Sequence, residues 1–373
     1  MDLPGPAEPA PFPALPFPDA HAGPEVVRLG DPGDLAAGLP QLLGYRPAES
    51  VVLVALGGAS GRRIGLTVRA DLPPAEHARE LAAVLARCLA TDDPRAAMAF
   101  VVSEEPDGAA LLADEEAPDT DLPHRPLVHA LVLALDALDL PLEQALLVRG
   151  GRWWDFDCPL ACCAAGGGTP LPTAVGELEA AAVVAGTVVA ADRAELAKRL
   201  APPDESSCAA MEAAVLRTAP LGPPGRSAAR RRIRSAVARS RPGRDQERPD
   251  DDEVARLAWS LRRPEVRDWA LLLSLGEDAA AAEALWTECT RRAPSPLDAF
   301  PAALVAVCAW LRGDGAMANI ALDRALASEP GNPLAQLLAD ALAACLSPRD
   351  LRALLVEAGR SAGVAAPARA AAR

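Results

Sequence analysis

Val51-Val52-Leu53-Val54-Ala55-Leu56 is an unbroken run of β-branched and aliphatic residues, bounded by Ser50 and Gly57. It is too short for a helix and apolar at every position, so it reads as a strand buried on both faces at the centre of a sheet. Next, Gly57-Gly58-Ala59-Ser60-Gly61 turns the chain. Ile64, Leu66 and Val68 then alternate with Arg63, Gly65, Thr67 and Arg69, which makes the second strand a hairpin partner of the first. Upstream, residues 35–43 read as a short helix closed by Gly44, and 45–50 as a turn. Downstream, Pro73-Pro74 opens a helix on which Leu81, Val84, Leu85, Cys88 and Leu89 share one face, so that Cys88 reads as a small core residue.

Residues 96–103 form a third strand by the same criteria. An exposed acidic loop follows over 104–121, then an apolar helix over 127–138 and a strand around Leu146-Leu147-Val148. Gly150-Gly151 is a two-residue hairpin signal leading into Arg152-Trp153-Trp154. The order β-β-α-β-α-β-β predicts an α/β fold, a mixed sheet with flanking helices, over residues 26–172. Beyond it the strand pattern stops. Residues 173–250 read as a helical connector with an arginine-rich segment, and 251–358 as an all-α region of helical hairpins. Within the latter, Arg312-Gly313-Asp314-Gly315 is a tight turn, and Ala318, Leu322, Ala325 and Pro330 follow the spacing of the second helix of a tetratricopeptide (TPR-like) unit. The proline-rich residues 1–25 and the small, basic residues 359–373 read as disordered tails.

The chain carries 37 Lys+Arg against 51 Asp+Glu, a net charge of −14, which disfavours wholesale nucleic-acid binding. Residues 226–248 run the other way: nine arginines against Asp245 and Glu247 give +7, leaving −21 for the remainder. That segment is the one place where phosphates could be met; the plainer reading is a helix lying on the chain's own acidic surface. No long apolar stretch predicts a membrane span, and no basic-then-apolar leader opens the sequence. Eight cysteines scattered over a chain with ample core read as reduced thiols of a cytoplasmic protein.

Two stretches are candidate sites. Cys158, Cys162 and Cys163 sit just after Trp153 and Trp154, concentrating three of the eight cysteines and two of the six tryptophans. Zinc, a redox or disulfide role, and packing of thiols against tryptophan all fit that trio. Structural zinc wants four ligands where three are offered, and adjacent cysteines can share a metal only within a turn. Trp153 and Trp154 in a strand face opposite sides of the sheet, one toward core and one available to a ligand or partner. The second candidate is a ligand pocket gathering Tyr45, Arg46 and Ser50 with Arg69 and Asp71, at strand ends where α/β sheets place their sites, with Trp153 and Trp154 at the same pocket. Its plain alternative is a turn capped by Ser50 and a surface ion pair. Phosphate-loop, metalloprotease and nucleophile-elbow signatures are missing, and the sole lysine, Lys198, has no phosphate-binding context.

Several motifs resemble the actinobacterial family labelled domain of unknown function 4192: Leu42-Leu43-Gly44-Tyr45-Arg46-Pro47-Ala48-Glu49-Ser50-Val51; Gly65-Leu66-Thr67-Val68-Arg69-Ala70-Asp71-Leu72-Pro73; Arg152-Trp153-Trp154 with the three cysteines; and Arg312-Gly313-Asp314-Gly315-Ala316 with Asn319. The resemblance implies an intracellular protein and carries over no catalytic residue or cofactor. It departs after Trp154, where the family favours serine-tyrosine and Asp155-Phe156 stands here. The expectation is a non-enzymatic protein whose region 251–358 binds a protein partner. A small-ligand or redox enzyme using the α/β pocket is the alternative, and nucleic-acid regulation through 226–248 a third.

Overall fold

The six strands form one sheet in the order β2-β1-β3-β4-β5-β6: β1 Ser50–Gly57, β2 Arg63–Asp71, β3 Ala96–Val102, β4 Leu142–Arg149, β5 Arg152–Asp155 and β6 Thr169–Pro170. The computed structural model describes residues 31–58, 63–105, 122–164, 166–172, 188–241 and 248–361. The pair β3–β4 is parallel and the others antiparallel, which is the mixed sheet expected. The short β6 was not foreseen, since two residues carry no periodicity.

β1 is buried from Ser50 to Leu56, with Val51, Val52, Leu53 and Val54 wholly inaccessible. Its residues divide strictly by parity. Val51, Leu53 and Ala55 enter a small core with Ala97, Ala99 and Val101 of β3 and Ala145 and Leu147 of β4, covered by α3 Ala78–Ala90 and α4 Arg125–Asp136. Val52, Val54 and Leu56 enter a second, larger core with Met98, Phe100, Leu146 and Val148. That core begins at α1 Pro32–Ala37 and α2 Leu39–Leu43 and continues without a break into the helices of the C-terminal half.

Those helices are α5 Arg193–Ala197, α6 Glu205–Thr218, α7 Arg226–Arg239, α8 Asp251–Leu261, α9 Pro264–Leu271, α10 Ala279–Arg292, α11 Ala299–Arg312, α12 Gly315–Ser328, α13 Pro333–Ala343 and α14 Pro348–Ser361. Twelve consecutive residues of α11, from Ala299 to Trp310, are buried, which marks it as the axis of the helical half. Gly313, at φ 89°, makes the predicted tight turn to α12, where Ala318, Leu322 and Ala325 are buried at the expected spacing. Asp298, also fully buried, accepts from Arg324 Nε at 2.8 Å and from the Ser328 hydroxyl, so its charge is compensated across the hairpin.

Several expectations are corrected. The single helix over 35–43 is two, broken at Gly38. The segment after Ser347-Pro348 is not one turn but the fourteen-residue α14, which extends past the expected tail boundary at 359. Val84 is 41% exposed: the buried stripe of α3 runs through Ala82, Leu85, Ala86 and Leu89, and at 100° per residue Val84 points about 140° away from its centre. Cys88, on the flank of that stripe, is not a reduced core thiol; it is bonded to Cys345, 257 residues away. In a chain-entropy picture, closing so long a loop stabilises the fold by about 5 kcal/mol. The expected tails over 1–25 and 362–373, most of the acidic loop, and residues 173–187 lie outside the described residues.

The parity of α3 is directly testable. Leu85→Ala is expected to lower stability by about 2–4 kcal/mol and Val84→Ala by under about 1, read from urea midpoints; equal losses would contradict this facing of the helix.

Candidate functional site

The Gly150-Gly151 hairpin forms as expected, both glycines adopting positive φ (53° and 72°), and it delivers β5 against β4. Trp154 points into the small core at 3% exposure, while Trp153 turns to the other face, where its ring crowds Gly33 of α1. Both tryptophans are therefore packed. After Asp155 the chain leaves the sheet, and residues 161–163 form a single 3-10 turn. That turn meets the condition under which Cys162 and Cys163 can share a metal.

The three sulfurs, Cys158, Cys162 and Cys163, all lie within 4.8 Å of one another, with Cys158–Cys162 at 4.0 Å and Cys162–Cys163 at 3.9 Å. Two thiolates bound at 2.3 Å to a tetrahedral zinc are about 3.8 Å apart, so the two shorter separations are close to those of a coordinated pair. All three are free thiols. Cys162 is exposed, Cys158 half-buried and Cys163 buried, so one side of the cluster faces solvent. Cys163 accepts a hydrogen bond from the Asp155 amide at 3.3 Å, and burial pushes its thiol up to about 11.

A glycine loop holds this turn. Gly168 N–H donates to Cys162 O at 2.7 Å and Gly167 N–H to Ala164 O at 2.9 Å, folding the chain back over the cysteines. Gly167 has no room for a side chain, because a Cβ there would stand 2.8 Å from Ala161 O and 3.0 Å from Cys162 O. Gly168, at φ 86°, lies against the Trp154 ring, and Arg152 anchors the loop by donating to Gly167 O and Gly168 O at 3.1 and 2.5 Å.

Among the described residues no histidine or carboxylate completes the set. Asp155 is committed to the Asp157 amide and to Gln144 Nε2, at 2.9 and 3.2 Å. Asp157 is exposed and instead lines a shallow cleft of about 380 Å³ with Arg125, Val128, His129 and Val132 of α4.

The second candidate divides. Ser50, Arg69 and Asp71 do meet: Arg69 donates to Ser50 Oγ through Nε and Nη2, at 2.9 and 2.6 Å, and pairs with Asp71 at 2.6 Å. Tyr45 is instead buried in the large core, where burial raises its hydroxyl above the usual value against the opposing pull of Arg69 and Arg193. Arg46 is exposed and contributes its backbone, donating to Ala190 O at 3.1 Å. Trp153 and Trp154 do not join this group: β5 lies three strand spacings from β1, about 14 Å.

What joins it are residues that the sequence reading passed over. Glu49 and His124 both adopt left-handed backbone, at φ 40° and 64°, and both reach Ser103 at the end of β3. Ser103 Oγ donates to Glu49 Oε2 at 2.8 Å and lies 3.1 Å from His124 Nε2, which pairs with Glu105 at 2.9 Å. The position of Ser103, at the carboxyl end of a strand in a parallel pair, is the signal that marks it.

Among the described residues, four of the nine arginines in the segment have partners on the chain itself. Arg230 and Arg234 stack on Trp269 at 5.4 and 5.1 Å, Arg239 pairs with Glu253, and Arg241 pairs with Asp278, each at 2.6 Å. These contacts follow the plainer reading of that helix, docked on the chain's own surface.

A family model described as a domain of unknown function matches residues 32–349, which takes in the sheet, the three-thiol turn and the helical half up to the start of α14. The chain belongs to the DUF4192 family. No curated protein and no solved structure matches it. In this DUF4192 chain no helix among the described residues is long and apolar enough to cross a membrane.

Since Gly168 combines a positive φ with ring contact, Gly168→Ala is expected to cost about 3 kcal/mol and to expose Cys163 to alkylation under native conditions. Thiol labelling followed by peptide mass analysis checks this; unchanged stability with Cys163 still protected would contradict it.

Proposed function

We propose that this DUF4192 chain is a cytoplasmic protein that binds one zinc ion through the thiolates of Cys158, Cys162 and Cys163. The observation that carries the reading is the sulfur spacing, 3.9 and 4.0 Å, on a turn that a glycine loop and the Asp155 amide hold in place. Soft thiolates select zinc over magnesium or calcium, and the Asp155 amide is the kind of outer-shell donor that orients a metal thiolate. Three protein ligands leave a fourth position for water or an external ligand on the side of exposed Cys162.

Partner docking on residues 251–358 has less support. The apolar faces of these helices are spent on the large core, and the most exposed large apolar side chains on α13 and α14 are Leu337 and Leu354. A pocket enzyme at Ser50 and Arg69 has less again, because those groups already satisfy one another.

Elemental analysis of protein purified under reductant is expected to find one zinc per chain. Cobalt substitution should give sulfur-to-metal charge-transfer absorption in the near ultraviolet, and Cys162→Ser should weaken binding at least about tenfold. Metal-free protein that also fails to bind cobalt would end the proposal.

A further inference from the structure

Cys345 occupies a backbone position that favours glycine. At the end of α13, Leu346 N–H donates to Ala341 O and Cys345 N–H to Leu342 O, each at 3.0 Å, which is the paired closure of a Schellman motif. The residue at the left-handed position of that motif is usually glycine, yet a cysteine stands there at φ 61°. A side chain standing against backbone preference points to a use for the side chain. Its thiol is bonded to Cys88, with the two Cα atoms 4.9 Å apart, within the span a disulfide requires. The bond joins two layers: Cys88 lies on α3, which covers the small core, whereas α13 and α14 belong to the large core on the opposite face of the sheet. Six other cysteines remain free, including two, Cys289 and Cys308, buried in the helical half, so pairing is selective.

We propose that Cys88 and Cys345 form a reversible redox site, a thiol–disulfide pair that locks the outer helix α3 to the C-terminal helices when oxidised and releases it when reduced. The oxidant class is a low-molecular-weight disulfide. One cysteine thiolate attacks it, forming a mixed disulfide and expelling one small thiolate. The second cysteine thiolate then attacks the protein sulfur of that mixed disulfide, closing Cys88–Cys345 and expelling the other. The two protein thiols lose two protons and two electrons, and the small disulfide leaves as two thiols. Neither step involves the three-thiol turn, so this site stands or falls independently of zinc.

The test uses the full chain equilibrated in glutathione buffers of increasing oxidised fraction, acid-quenched, alkylated and mapped by mass spectrometry, with Tm measured in parallel. A Cys88–Cys345 linked peptide should grow in with oxidised glutathione and disappear with reduced glutathione, the linked form melting about 5 °C or more higher. Cys88→Ser should abolish the redox dependence of Tm. Cys345→Gly should abolish it too, yet melt above Cys345→Ser, because glycine alone accepts the left-handed backbone without strain. Separately alkylated Cys88 and Cys345 at every ratio, equal melting of linked and reduced protein, or Cys345→Gly melting below Cys345→Ser would each overturn the proposal.

Discussion

Everything in this fold leans on the burial of β1 from both sides. An apolar strand saturated on one face needs one covering layer; Val51 to Leu56 need two, and the chain supplies them from different sources. α3 and α4, threaded between the strands, cover the odd-numbered residues. The even-numbered residues are covered by the short N-terminal helices and by helices that arrive more than a hundred residues later. A slip of one residue in register would exchange the two sets. Because the large core runs on from Val52 and Val54 into the interior around α11, the sheet and the helical half share one apolar interior, and their stabilities are coupled through it.

This division explains what was legible in the sequence. Strands with apolar residues at every position, or with strict alternation, announced themselves, as did helices bounded by proline and glycine and the turn that opens α12. Errors fell where tertiary contact decides the outcome. Val84 fits an amphipathic pattern as well as Ala82 does, and only the packing of α3 against α4 shows which stripe is buried. Cys88 and Cys345 are each unremarkable in sequence, since nothing local ties residues 257 apart.

The candidate site was visible as composition and not as geometry. Cysteine and tryptophan density singled out residues 153–163, but adjacent cysteines diverge in extended chain, so sharing a ligand depended on a turn. That turn is imposed from outside by Gly167 and Gly168 closing over Trp154, a contact with no periodic signature. The arginine segment was the converse case: a conspicuous charge run in which four arginines have partners, Trp269, Glu253 and Asp278, that lie further along the chain.

The polar groups at the carboxyl end of β3 carry a further consequence. Ser103, Glu49, His124 and Glu105 spend their hydrogen bonds on each other, and the Glu104 carboxylate receives the Gly150 amide, stitching the loop after β3 to the β4–β5 hairpin. A visitor arriving at this end of the sheet would have to trade each new hydrogen bond for an existing one, with little net gain per exchange. Where a doubly covered sheet commonly opens to a ligand, this one has been sutured shut, and its ends are held by two residues, Glu49 and His124, in backbone conformations that few side chains other than glycine adopt without cost.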